Sequence, residues 1–213
     1  MAQLGDFSGI TVNGSGRAAA PPDVVRIDLA AEASADGVQA ALADATEGLA
    51  RMRETLVGAG LERADLRSTE TSVRVDSGPR GDGPQRYVAR LGLSATVRDL
   101  SSAGSIVQDA LGSAGETARL SGLSFAHSDP SGLLVTAREA AFADARAKAE
   151  RYADLAGKTL GEVAAVDESG VAGPVPIVQL AAASPIADFA VEGGNQEVSV
   201  TVTVRWTWAW PPG

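Results

Sequence analysis

From Asp23 to Ala33 apolar and polar residues alternate. Val25, Ile27, Leu29, Ala31 and Ala33 share one face while Arg26, Asp28 and Glu32 share the other, the period of a half-buried strand. The period then changes. Val38, Leu42, Ala45, Leu49, Met52 and Leu56 are spaced 4, 3, 4, 3 and 4 residues apart, which predicts a helix that Gly58-Ala59-Gly60 stops. Leu66 to Asp76 has the Thr and Val content of a strand. The turn-rich stretch 77–84 leads from it to an alternation over Tyr87, Ala89, Leu91, Leu93, Ala95 and Val97, so the two read as a long hairpin. Cap candidates at Asp99, Ser101 and Ser102 precede a short helix through Ile106, Val107, Ala110 and Leu111, and Ala118 to Ala126 predicts another strand. Strand, helix, strand, strand, helix, strand is the order of a ferredoxin-like sandwich, with both helices on one face of an antiparallel sheet.

On either side of that core the pattern predicts additions. Ile10-Thr11-Val12 reads as a short strand that runs into a turn at Asn13-Gly14-Ser15-Gly16. Ser128-Asp129-Pro130 offers a cap and a proline suited to the first helical position, ahead of an Ala-, Arg-, Glu- and Lys-rich run that Gly157 ends. At about 1.5 Å per residue this helix is about 40 Å long. Its stripe of Leu134, Ala137, Ala141, Ala145, Ala149, Tyr152 and Ala156 permits close backbone approach but buries little area. Glu162 to Glu168 predicts a short strand, and Ser169 to Ala187 a Pro-containing apolar connector that covers its own sheet or lies across a neighbour. Glu197 to Trp210 closes the chain with Val198, Val200, Val202, Val204, Trp206, Trp208 and Trp210 on one face. At about 3.4 Å per residue it spans nearly 50 Å, so it either bends between two sheets or pairs with another subunit. The expected fold class is thus α+β: a ferredoxin-like βαββαβ sandwich elaborated by an N-terminal strand, a long C-terminal-half helix and a long terminal strand. Its segments are 1–22, 23–127 and 128–213, packed together as one domain.

Composition narrows the chemistry. The chain has 213 residues, no Cys, one His and a net charge of −9 at pH 7. The charge disfavours nucleic acid and anionic membranes as partners, and the missing thiols exclude disulfides, Cys-ligated zinc and a Cys nucleophile. No apolar run is suited to span a membrane, because the connector carries Pro174, Pro176 and Pro185. Met1 to Ser8 has neither a basic nor an apolar leader region, which reads as cytoplasmic, with a periplasmic or extracellular place as the alternative if a leader has been removed.

Several motifs have a plainer structural reading. Gly14-Ser15-Gly16-Arg17-Ala18-Ala19 matches a dinucleotide fingerprint, but Pro21-Pro22 and a strand follow where a helix is needed. Arg80-Gly81-Asp82 lies in a turn where such triplets arise cheaply, and Asn13-Gly14-Ser15 is a glycosylation acceptor only in a secreted eukaryotic context. His127 lacks a nucleophile or carboxylate pair, and Asp23, Asp65 and Asp99 stand where caps and turns are needed. Trp206, Trp208 and Trp210 are either a stacking platform or a core or interface stripe. No catalytic residue, cofactor or metal is therefore expected.

Taken in order along the chain, several short stretches together resemble the SIMPL-domain family of bacterial periplasmic and surface-antigen proteins. These are Ile10 to Gly16, Pro22-Asp23, Asp65 to Thr69, Tyr87, Val97 to Leu100, Ala140 to Ala149, Pro185-Ile186, Glu192-Gly193 and the closing Val-rich strand. The resemblance implies an α+β protein that assembles into ring-like or channel-like homo-oligomers, with no catalytic residues to carry over. The chain departs from the pattern in its missing export signal and its Trp-rich end. The expected function is non-enzymatic self-assembly, the partner being the chain itself. The candidate interface is Tyr152, Val175, Ile177, Leu180, Ile186, Phe189, Trp206, Trp208 and Trp210. The alternative is a small binding module that presents the 77–85 turn or the Trp stripe to a protein or glycan.

Overall fold

The computed structural model describes residues 8–78, 83–176 and 194–209. Its elements are β1 (Gly9–Ala20), β2 (Val24–Ala35), α1 (Val38–Gly58), β3 (Leu66–Asp76), β4 (Arg86–Val97), α2 (Ala103–Ala114), β5 (Ala118–Ala126), α3 (Ser131–Leu155), β6 (Leu160–Pro176) and β7 (Gln196–Trp208). They gather into two compact units: β2 to β5 with α1 and α2 in one, and β1, α3, β6 and β7 in the other.

The first unit is the ferredoxin-like sandwich. Its sheet runs β3-β4-β2-β5 with every neighbouring pair antiparallel. The alternation in β2 turns Val25, Ile27, Leu29 and Ala31 toward the helices, where they pack with Leu93, Ala95 and Val97 of β4. Met52 and Leu56 of α1 and Ile106, Val107 and Ala110 of α2 complete the layer. The helices end where glycine permits a positive φ: Gly60 (φ 94) follows α1 and Gly157 (φ 62) follows α3.

The second unit is a three-stranded sheet, β1-β7-β6, under a single helix. Three sequence expectations are corrected here. First, the turn expected at Asn13 to Gly16 is absent. Strand β1 runs straight through it, paired with β7 from Gly9↔Thr207 to Ala20↔Gln196 in one unbroken register. The glycines serve room rather than turning: a Cβ on Gly14 would fall on the carbonyl oxygen of Ala141, and one on Gly16 on that of Ala137. Second, the strand expected at 162–168 extends over Leu160–Pro176 and takes in half of the anticipated connector. As an edge strand, β6 can hold Pro174 and Pro176, whose missing N–H groups matter only toward its one neighbour. Third, β7 neither bends between sheets nor needs another subunit. It is the central strand, and β1 and β6 are long enough to pair with it on both sides.

Proline placement differs slightly as well. Pro130 stands just before α3, and the Asp129 carboxylate accepts the Ser131 N–H at 2.9 Å.

Candidate interaction surfaces

Helix α3 sits low on its sheet because the facing residues are small. Ala137, Ala141, Ala145, Ala149 and Ala153 are buried against a β1 face that carries Val12, Gly14, Gly16 and Ala18. This close seat puts the polar flank of α3 beside the free edge of β1. There Asp144 Oδ2 accepts the Ser15 N–H at 2.8 Å, and Lys148 Nζ donates to the Asn13 carbonyl at 3.1 Å. Lys148 first, then the Ser15 N–H, hold the Asp144 carboxyl below its ordinary range. Two backbone groups in the middle of β1, the Ser15 N–H and the Asn13 carbonyl, are thus capped by side chains.

Strand β6 is treated differently. The helix packs over β1 and β7 and scarcely reaches β6. It is tied there by Arg138, whose Nε and Nη2 donate to the two oxygens of Glu168 at 2.9 and 3.0 Å. Val163 and Val166 remain 45% and 54% exposed. Every residue from Glu162 to Gly170 is exposed, and β6 carries Glu162, Asp167 and Glu168 with no Lys or Arg.

Of the predicted interface residues, the structure describes the side chains of Tyr152, Trp206 and Trp208. Tyr152 is exposed on α3, but Trp206 is only 3% exposed and packs on Phe142 with ring centroids 6.1 Å apart. It belongs to the core of its own unit, so three indoles do not form a platform. Trp208 is half-buried, paired with Leu160 of β6. Val175 falls within the backbone of β6, while Ile177, Leu180, Ile186, Phe189 and Trp210 lie outside the described residues, as does Arg80-Gly81-Asp82.

A surface that sequence reasoning missed is the open face of the β3-β4-β2-β5 sheet. The β2 residues that point away from the helices pair with β4 and β5 in a register that gathers Arg26, Arg67, Arg74, Arg86, Arg90 and Arg119 on one face. Asp28, Glu32, Glu70 and Asp76 share that face and Asp36 pairs with Arg86 at 3.4 Å, so six cations meet five carboxylates in a chain that is strongly acidic overall. Glu32 is the hub, with Arg74, Arg90 and Arg119 at 3.4, 3.5 and 3.5 Å. Burial pushes its carboxyl up, but the hydrogen bond from Arg74 and the charges of Arg74, Arg119 and Arg90 outweigh this and hold it below its ordinary range. Arg90 also donates to Glu70 and, at 2.7 Å, to Ser121 Oγ, while Arg86 donates to the hydroxyl and carbonyl of Ser34, both at 3.0 Å. The signal was invisible in sequence because four separate strands supply the partners.

The single-residue candidates make local contacts. Asp65 accepts from Arg98 at 2.6 Å and from the Glu62 N–H at 3.3 Å, and Arg98 chiefly lowers its pKa. Asp99 closes a turn onto the N–H and hydroxyl of Ser101 at 3.0 and 2.6 Å. The Asp23 N–H donates to the Ala126 carbonyl at 3.2 Å, and His127 Nε2 lies 3.2 Å from the Ala20 carbonyl. An open cleft of about 730 Å³ between α1 and the start of β3 is lined by Ala50, Arg53, Glu54, Val57, Arg63 and Leu66, among others. The lining also includes Gly58 and Ser68, whose hydroxyl accepts from Arg53 Nη2 at 3.4 Å. Among the described residues no cluster of His, Asp and Glu is arranged to hold a metal, and no helix is long and apolar enough to cross a membrane.

Comparison with known proteins adds a family and a compartment. The model of the SIMPL family, described as a protein of unknown function (DUF541), matches residues 10–206. The 26 kDa periplasmic immunogenic proteins of Brucella melitensis biotype 1 and Brucella abortus strain S19 are each 26% identical to this chain over 212 residues. Each alignment covers 92% of the chain and 82% of the relative. Both relatives are periplasmic by name, which overturns the cytoplasmic expectation. That expectation rested on the first eight residues, and a start without an apolar leader is not evidence of compartment.

Proposed function

The chain belongs to the SIMPL family, whose function is not established, and from that premise we propose that it is a non-enzymatic periplasmic protein that assembles with copies of itself. The product is a symmetric homo-oligomer shaped as a ring, channel or cage. The observation that carries this reading is the uncovered flank of β6. Val163 and Val166 stand exposed beside a helix that covers the other two strands of the same sheet. Apolar residues left on one flank of an otherwise covered layer lose water when a partner docks. Repeated copies of one chain close most simply by symmetry. The Brucella relatives are named as periplasmic immunogenic proteins, which supports the periplasmic part of this reading.

Light scattering coupled to size exclusion, with native mass spectrometry, tests it directly. The expected result is one species at an integer multiple of 21.6 kDa, which falls toward a single chain in Val166→Glu while the circular dichroism spectrum is unchanged. A 21.6 kDa species at micromolar concentration for the unaltered chain rejects the proposal.

A further inference from the structure

We propose that the edge of β3 and the cleft beside it bind an extended peptide, which adds to the sheet as a further strand and ends in an acidic C-terminus. The inference goes beyond the self-assembly reading and does not depend on it. It begins with how the sheet edges are treated. In the other sheet, β1 has backbone groups capped by Asp144 and Lys148, and β6 carries Pro174 and Pro176 and shifts register repeatedly against β7. Strand β3 contains no proline and pairs only with β4. From Thr71 to Asp76 it keeps one unbroken register with that neighbour, so its outer side presents a regular row of backbone donors and acceptors.

The helix side of β3 has room for an added strand. Residues opposite one another in an antiparallel pair share a face, so Val73, opposite the buried Ala89, and Val75, opposite Tyr87, lie on the side of the helices. Helix α1 covers β2 and β4 and scarcely reaches β3, which leaves these valines 40% and 51% exposed. A strand laid along β3 sets alternate side chains beside them, and apolar residues at those positions lose water on docking.

Further along the same side, past the register shift between Ser68 and Thr71, Leu66 and Ser68 line the cleft of about 730 Å³. Its cations lack carboxylate partners. Arg53 donates to Ser68 Oγ at 3.4 Å, and Arg63 forms no hydrogen bond or ion pair among the described residues. Two guanidiniums against Glu54 leave the lining positive in a chain of −9. A peptide antiparallel to β3, the direction that β4 already takes, brings its C-terminus to this end. A terminal Asp then supplies two carboxylates, which guanidiniums bind through forked hydrogen bonds. Main-chain pairing gives such a complex its affinity, and the alternate side chains and the charged end give it selectivity. A second copy of β3 does not meet this description, because its chain runs on past Asp76 and offers no terminus.

Fluorescence anisotropy tests the proposal with a labelled octapeptide of alternating Val and Ser that ends in Asp with a free carboxylate. Saturable binding is expected, about tenfold weaker when the end is an Asn amide and about tenfold weaker to Arg53→Glu with Arg63→Glu. Should that variant lose its native circular dichroism spectrum, Arg53→Gln with Arg63→Gln carries the same comparison. Successive N–H groups of a strand point to opposite edges, so methylating the Val nitrogens and methylating the Ser nitrogens gives two further probes. One is expected to fail and the other to bind like the parent. Equal binding of the two methylated probes overturns strand addition, and equal binding of the acidic and amide ends overturns the charged cleft. Hydrogen exchange is expected to slow over 66–76 when the parent peptide is added. The same slowing with rising protein concentration and no peptide assigns the edge to a second copy and overturns the proposal, as does an absence of binding at millimolar peptide. None of these readouts is the particle mass, so this proposal and the self-assembly reading fail separately.

Discussion

The two units solve one problem, a helix layer on one face of an antiparallel sheet, with opposite packing. In the sandwich, branched and long side chains fill the space: Ile27, Leu29 and Leu93 from the sheet meet Met52 and Leu56 from α1. In the three-stranded unit the helix brings an alanine stripe and β1 brings glycines, so backbone meets backbone. The first arrangement gains stability from apolar volume, the second from proximity. Proximity has side effects. A helix drawn close to β1 can reach that strand's edge with Asp144 and Lys148, yet it is too narrow to cover β6 as well. The missing bulk in one unit thus creates both its capped stretch of β1 and its bare flank.

The sandwich should suffer most from lost side-chain volume and the three-stranded unit from added volume. The largest loss is expected in the sandwich, where Leu56→Ala leaves a cavity at a fully buried site and costs about 4 kcal/mol in urea unfolding. Gly16→Ala adds a single carbon yet should cost about 3 kcal/mol, because the carbonyl of Ala137 and the backbone of Ala141 occupy its place. Hydrogen exchange should place that loss in β1, α3 and β7, with the sandwich amides still protected. A neutral Gly16→Ala would break the comparison, since it would mean that the helix can simply ride higher.

Smaller effects sharpen it. Asp144→Ala removes the cap on the Ser15 N–H of β1 and should cost about 1 kcal/mol once the exposure of the site is allowed for. Because the folded protein holds this carboxyl below its ordinary range, its contribution is complete at neutral pH and is lost as pH falls through the lowered value. Acid titration of stability should therefore be shallower in Asp144→Ala than in the unaltered chain. Glu32→Gln should change stability by under about 0.5 kcal/mol, as expected of ion pairs with exposed arginines. It should raise retention on a cation-exchange column, since the charge that offsets three guanidiniums is gone.

How far the sequence could be read follows the same division. The sandwich was legible to its strand order, because its branched residues advertise both periods and its turns use ordinary turn residues. The other unit was only half legible. Gly14 and Gly16 are turn signals in isolation, and only the distant alanines of α3 reveal that they make room for a helix. Pro174 and Pro176 likewise argue against a strand unless its edge position is known. The regularity of β7 was plain, but whether Trp206 faced inward or outward depended on which side α3 would choose. The arginine face was the least legible feature, since Glu32, Arg74, Arg90 and Arg119 are far apart in sequence and only strand order unites them.

The pairing of β1 with β7 also sets a timetable. Gly9 meets Thr207, so the ladder of β1 forms only across a loop that takes in the whole sandwich segment. The sandwich, by contrast, draws every strand it needs from the uninterrupted stretch Val24–Ala126. Closing so long a loop carries an entropic cost that local hairpins escape. Until β7 pairs with it, a Gly- and Ala-rich β1 with little to bury gives the partly folded chain few ways to misassociate. The small residues that let α3 settle closely in the finished protein also keep the waiting strand quiet.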